Sequence, residues 1–334
     1  MNTAKVLAHS GPFGMGYVPR SRIAQFCDDP HTLALIDFAA DGEAAGAAGF
    51  VSHLPQLDGP PVCEYWRSDE PVTRWQEGDF HLARTSEFMF ARLSLPDTAA
   101  AERDAQVAYA ALLRILREGE FPHLVRVWNY FPRINAEEDG RERYRSFCVG
   151  RAAALESLDA MDDARLPAAS ALGASGGGLQ VYALAAREPG VQIENPRQVS
   201  AFRYPNDYGP RSPSFSRATL VRWRNGTHFY ISGTASIVGH ASVHQSLEAQ
   251  LGETLANVEA VVAQAHRAEG LDISTPDALS LLKVYVRRAS DAGTVRDWLR
   301  ARLGSAVPMA VLQADVCRAE LLVEIEGAYC GGAG

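Results

Sequence analysis

Near its C-terminal end the sequence runs Glu320-Leu321-Leu322-Val323-Glu324-Ile325-Glu326-Gly327, alternating apolar and acidic residues. A period of two predicts a strand with Leu321, Val323 and Ile325 on one face and Glu320, Glu324 and Glu326 on the other. Two readings of the acidic face stand open. It is solvated, or it is packed, in which case like charges and burial raise a carboxyl pKa and keep one group protonated as a proton donor. Upstream, Val243, Leu247, Leu251, Leu255, Val258, Val262 and Ala265 recur at three- and four-residue steps, which predicts a helix over about 242–267. Ser242 and Gln245 have the form of a capping box, and Gly270 stands where the helix should stop. Before it, 218–223 and 228–232 flank Asn225-Gly226, a dipeptide suited to the positive φ of a hairpin turn. After it, 282–287 alternates as a strand with Lys283, Tyr285 and Arg287 on one face, and a shorter helix follows at about 294–303.

The first half carries a similar order. Residues 88–95 read as a strand, Ala108, Ala111, Leu112, Ile115 and Leu116 mark a helix face ending at Gly119, and 124–131 read as a strand again. Asp104-Ala105-Gln106 parallels Glu248-Ala249-Gln250, and Val127-Trp128-Asn129-Tyr130 parallels Val284-Tyr285-Val286-Arg287. Two degenerate copies of one α+β unit account for this. The expected division is an N-terminal degenerate unit over 1–150, a junction over 151–180 and a C-terminal unit over 181–334 that carries the acidic strand. The junction holds a poorly patterned stretch, 152–170, and a glycine run, Gly173-Ala174-Ser175-Gly176-Gly177-Gly178, read as a turn.

Composition changes this picture little. The 334 residues are 47% hydrophobic and 22% charged, ordinary for a globular protein of two domains. A net charge of -8 argues against a broad nucleic-acid footprint, though a local arginine pocket for a small anion stays compatible with it. The five cysteines, Cys27, Cys63, Cys148, Cys317 and Cys330, are scattered and odd in number, against a disulfide framework. No signal-peptide core or membrane-length apolar run is present, and the expected location is cytoplasmic.

Three familiar chemistries fit poorly. The glycine run lacks the Gly-Lys-Ser/Thr of a phosphate loop; His240 and His244 are four apart but have no third metal ligand nearby; and Gly233-Thr234-Ala235-Ser236-Ile237 lacks the second glycine of a nucleophile elbow. More informative is the segment 204–218, where Pro205, Pro210 and Pro213 stiffen a loop bearing Tyr204, Tyr208, Arg211 and Arg217. Such a loop suits a bidentate grip on a carboxylate, or is a surface loop with solvated arginines.

The second unit, through Ser214-Phe215-Ser216-Arg217-Ala218, Phe229-Tyr230-Ile231-Ser232-Gly233, Glu248-Ala249-Gln250, Asn257-Val258 and Val323-Glu324-Ile325-Glu326, resembles the RidA/YjgF superfamily. That resemblance implies chorismate-mutase-like mixed sheets covered by helices, and homotrimers with ligand sites between subunits. Ala310 stands where the superfamily's imine deaminases have a carboxylate-binding arginine, which argues against imine deamination. The whole chain resembles a narrower family, the chorismatases. It does so through Val127-Trp128-Asn129-Tyr130-Phe131, the block from Tyr208 to Ala218, Gly233-Thr234-Ala235-Ser236-Ile237-Val238-Gly239-His240, and the block from Cys317 to Gly327. This resemblance implies a cofactor-independent, metal-free enzyme acting on chorismate, with Glu324 as catalytic acid and arginines and tyrosines clamping two carboxylates. Tyr208, Arg211, Arg217 and Arg287 are the expected substrate-binding residues, and Glu326 is the alternative acid. Ala235 and Cys317 resemble the pair found in 3-hydroxybenzoate formers, so the expected products are 3-hydroxybenzoate and pyruvate. A mixture of 3- and 4-hydroxybenzoate, a dihydroxycyclohexadiene carboxylate, and a non-catalytic metabolite-binding role are the alternatives.

Overall fold

The apolar stripe of the C-terminal half folds as the helix Leu247–Glu269, burying Leu251, Leu255, Val258, Val262 and Ala265. It begins later than its stripe suggested. Ser246 is the cap, its hydroxyl accepting from the Ala249 N–H at 3.3 Å, while Ser242 accepts instead from Arg318. Gly270 closes the helix in the left-handed region, as expected. These features come from a computed structural model that describes residues 7–8, 11–42, 44 and 46–332. The remaining residues of the expected 1–150 and 181–334 units lie outside the described residues.

The helix joins Gly226–Ala235 to Leu281–Val286 in a six-stranded sheet. Its spatial order is Val191–Ile193, Ala218–Trp223, Gly226–Ala235, Val323–Gly332, Leu281–Val286, Met309–Gln313. Only the last pair is parallel, and the helix Ala292–Leu303 makes that crossover. The hairpin between the second and third strands forms as expected, but its loop is Arg224-Asn225, and neither Asn225 nor Gly226 has positive φ. Gly226 is small for a different reason: a Cβ there would strike the backbone of Gly11 and Gly331.

A second six-stranded sheet repeats this order, helix for helix. Its strands are Thr73–Glu77, Phe80–Arg84, Phe88–Ser94, His123–Pro132, Ala168–Ala174 and Gln180–Ala186, with helices Ala101–Glu118 and Arg143–Ser157 before and after His123–Pro132. The stretch expected as a junction, 151–180, thus contains the end of a helix and the strand Ala168–Ala174, which runs parallel to His123–Pro132. The first repeat cannot close without them, because Gln180–Ala186 is its central strand and the counterpart of Val323–Gly332.

Residues ahead of this repeat form a third sheet of their own, ordered Leu7–Ala8, Phe13–Pro19, Val62–Ser68, Thr32–Asp37, Gly49–Val51. Its pairing follows the same scheme, with Thr32–Asp37 and Gly49–Val51 parallel and the rest antiparallel. The long helices are missing among the described residues; between Phe13–Pro19 and Thr32–Asp37 stand only the 3-10 turn Arg20–Arg22 and the one-turn helix Ala24–Cys27. The three sheets meet in one apolar core where Phe13 and Trp66, Phe90, Trp128 and Tyr182, and Tyr230 and Tyr285 come together. Each fully buried aromatic side chain contributes roughly 1.5–3 kcal/mol there. The fold is α+β. Among the described residues no helix is long and apolar enough to cross a membrane.

Candidate active site

Alternation along Val323–Gly332 turns Glu324 and Glu326 to one face, and both are buried, at 4% and 2% exposure. Glu320 lies outside the strand and is exposed. The solvated reading of the acidic face therefore fails, because the neighbouring repeat covers it. Glu326 faces a full set of donors from three strands. Arg126 reaches its Oε2 at 2.7 Å, Lys283 and the Trp128 indole reach Oε1 at 2.9 and 2.6 Å, and the Ser170 hydroxyl donates at 2.6 Å. Burial pushes this carboxyl up, but Lys283 and Arg126 outweigh it and hold the pKa down at about 2.

Glu324, two residues earlier, has the opposite surroundings. No hydrogen bond links its carboxyl to another described residue. Burial first, and the Glu326 charge second, push its pKa up to about 8, against the pull of Arg126, Arg217 and Arg287. It is a neutral acid at pH 7. Room for it comes from Gly233 on the adjacent strand, where a Cβ would overlap the Glu324 carboxyl. The Gly233 N–H donates to Ser170 Oγ at 2.8 Å.

Glu324 opens on a cavity of about 370 Å³ between the two helical repeats. Ala235, its register partner across the strand pair, lines the wall, as does Cys317. Burial and then the Glu324 carboxyl push the Cys317 thiol up, so it stays protonated. The wall is held from behind by buried polar groups of the long helix. Asn257 donates to the carbonyls of Ala235 and Ile237 at 3.2 and 3.0 Å; Gln250 accepts from the Leu322 N–H at 2.7 Å and donates to the Glu320 carbonyl at 2.9 Å.

Of the four expected binding residues, three line this cavity. Arg217 is buried and donates to Tyr204 Oη at 2.7 Å and to the Val199 carbonyl at 2.9 Å, leaving its Nε without a partner. Tyr208 bonds His240 Nδ1 at 3.0 Å and lies under the Arg318 guanidinium, 4.0 Å from ring centre to Cζ. Arg211 is half exposed and paired with Glu156 at 2.9 Å. Arg287 does not line the cavity. Its guanidinium is spent on the carbonyls of Leu321, Val316 and Arg318 and on Asn135 and Asp315, and it ties down the loop that carries Cys317. Strand-face reasoning gave its direction correctly but not what meets it there. His240 and His244 do not share a helical face, since both precede the helix.

Several site residues escaped sequence reasoning. Tyr144, Arg145, Cys148 and Phe215 also line the cavity, and Arg151 lines a recess of about 30 Å³ beside Glu324 and Cys317. Arg151 is 3% exposed, packs 5.2 Å from the Phe147 ring, and has an unpartnered Nε. Arg151, Arg217 and Arg318 have no carboxylate within ion-pair distance among the described residues. Three unneutralised guanidinium groups around a neutral acid suit an anionic guest that must be protonated. A larger cavity, about 530 Å³, lies between Leu113 and Thr219, away from this chemistry.

Comparison with known proteins bears on this arrangement. Residues 64–185 match the family model described as "Chorismatase FkbO/Hyg5-like, N-terminal". A 3-hydroxybenzoate synthase of Streptomyces hygroscopicus is 38% identical over 276 residues, 80% of this chain and 81% of that protein. A chorismatase of the same organism is 38% identical over 287 residues, 84% of this chain and 83% of that one. A chorismatase crystal structure matches with a TM-score of 0.88 at 33% identity, covering 96% of this chain and 99% of the other. With likeness in sequence and in backbone running nearly end to end, this chain is an enzyme and belongs to the chorismatase family.

Proposed function

We propose that the chain converts chorismate to 3-hydroxybenzoate and pyruvate, with Glu324 as the proton donor. The observation that carries this reading is a buried, neutral carboxyl group beside a cavity lined by Arg217 and Arg318 and a recess lined by Arg151, none of which has a carboxylate partner among the described residues. Chorismate is a dianion with an enolpyruvyl ether. The arginines bind its carboxylates, and Glu324 transfers its proton to the methylene carbon of the ether. A C–H bond forms as the O–H bond breaks, and the oxocarbenium centre is stabilised by the carboxylate just generated. Water adds to the oxocarbenium carbon with loss of a proton, the bond from that carbon to the ring oxygen breaks to release pyruvate, and the electron pair left on the ring oxygen displaces the 4-hydroxyl, which leaves with a proton as water. The arene-oxide-like intermediate then opens, and loss of a ring proton restores aromaticity. Water lost at the ring balances water gained in releasing pyruvate, so the products together have the composition of chorismate.

Intramolecular displacement depends on orientation, and Ala235 and Cys317 shape the wall next to the acid. Protonation of the freed ring oxygen in place of displacement gives the dihydroxycyclohexadiene carboxylate. Likeness to a 3-hydroxybenzoate synthase and to a chorismatase is equal in degree, so the product rests on the Ala235/Cys317 pair. The deciding experiment incubates the purified protein with chorismate and separates the products by chromatography. Equimolar pyruvate and 3-hydroxybenzoate are expected. Pyruvate with the diene alone overturns the product reading, and absence of pyruvate overturns the whole.

A further inference from the structure

We propose that Glu326 is the positioning residue of the proton donor: a carboxylate fixed in its charged form by donors from three strands, whose field keeps the proton on Glu324 two residues away. This deepens the reading of Glu324 as acid and rests on it. One proton passes from Glu324 to carbon in each turnover and one leaves the ring, so the donor must be reprotonated every cycle. A permanent anion on the same strand face favours that return.

The geometry is specific about which carboxyl is charged. Ser170 has a single hydroxyl proton and gives it to Glu326 at 2.6 Å; its lone pairs accept from Arg126 at 2.6 Å and from the Gly233 N–H at 2.8 Å. Nothing of Ser170 is left for Glu324. Lys283 bridges Glu326 to Glu64 of the N-terminal sheet, 2.9 Å to each, and also reaches Tyr182 Oη at 2.9 Å. Trp66 Nε1 donates to the other Glu64 oxygen at 2.9 Å. The cluster of Glu64, Lys283, Glu326 and Arg126 is neutral as a whole, and Glu326 is its member nearest Glu324 along the strand. From other elements, Arg126, Arg217 and Arg287 act on Glu324, Tyr144, Arg151 and Cys317 share its recess, and Glu142, Asp207 and Glu320 line the cavity beyond it. All three acting cations favour the ionised acid. Glu326 is the opposing charge.

The test is a pH titration of the Glu324 side chain by carbon NMR on full-length protein carrying carboxyl-labelled glutamate, without ligand, the resonance assigned by its loss in Glu324→Gln. In Glu326→Gln the midpoint should fall by about one pH unit or more. In Glu64→Gln/Lys283→Met, which cuts the same network but leaves Glu326 charged on Arg126, it should stay in place. If Glu326→Gln does not fold, the charge-balanced Glu326→Gln/Lys283→Met carries the same expectation. A midpoint unmoved by loss of Glu326, or moved alike by both cuts, overturns the proposal. The alkaline limb of kcat/KM should follow the titration. A limb that stays while the midpoint moves refutes Glu324 as donor and leaves the field of Glu326 standing, so the two failures are distinct.

Discussion

Gly233 shows how a single absent methyl group shapes the site. A Cβ at this position would occupy the space of the Glu324 carboxyl, which makes glycine a requirement of the acid's placement and not of backbone conformation. Gly233→Ala should keep the fold, read by circular dichroism, and lower kcat by about 100-fold, the scale of an ångström-sized misplacement of a catalytic group; an unchanged kcat would mean that the carboxyl acts from elsewhere. Ala235→Gly with Cys317→Val opens one wall and fills another, and should raise the share of dihydroxycyclohexadiene carboxylate seen by chromatography. An unaltered product ratio removes the pair from the account of selectivity. A period of two made the acidic strand face legible in the sequence, while the choice of Glu324 on it, with Ala235 and Cys317, came from blocks shared with a family. Ser170 and Arg126 were not legible, because they meet Glu326 across 156 and 200 positions of chain, and a side chain's partner at that range leaves no local trace.

Among the elements, the loop from Asp315 to Leu321 depends on Arg287, which grips three of its carbonyls and one carboxylate. Replacing it by glutamine should destabilise the protein by about 2 kcal/mol, the scale for losing hydrogen bonds from a charged donor to part-buried carbonyls, and should raise KM through the loosened positions of Cys317 and Arg318. Denaturant unfolding checks the first effect and steady-state kinetics the second. A raised KM with full stability would restore Arg287 to direct substrate contact. The long C-terminal helix was readable because one stripe packs and the other is wet. Arg143–Ser157 was not: Arg143, Ser146, Phe147, Gly150, Arg151 and Ala154 are all buried, so polar and apolar positions mix around its circumference. It packs on the helix Ala101–Glu118 and turns Tyr144, Arg145, Cys148 and Arg151 to the site, while Arg143 pairs with Asp97 and Glu138 away from it. The four-residue error at the start of Leu247–Glu269 has a similar cause, since Ser242 serves Arg318 at the cavity lip and not the helix end.

At the scale of the molecule, one chain holds the same pairing scheme three times, and the charges at its centre join the three sheets. Two repeats were legible from repeated wording. The third was not, because it has shed its long helices, and its strand Thr-Leu-Ala-Leu-Ile-Asp at Thr32–Asp37 is buried throughout and shows no alternation. The central cluster gives the fold a pH signature. Glu326 titrates at about 2 when folded and near 4.5 otherwise, so its contribution is present above pH 4.5 and is lost as pH falls through about 2. That amounts to about 3 kcal/mol, read from denaturant midpoints between pH 5 and pH 2, and the acid slope should flatten in Glu326→Gln/Lys283→Met. Equal slopes in the two proteins would place acid sensitivity elsewhere. The same burial that costs Glu326 nothing in charge leaves Glu324 neutral, and on that difference the catalytic account turns. Its most direct measurement pairs calorimetric binding of chorismate to Glu324→Gln with pyruvate release by the same variant. Binding close to that of the unaltered enzyme, with turnover lower by about 100-fold or more, is the predicted result; full pyruvate release from Glu324→Gln would contradict it.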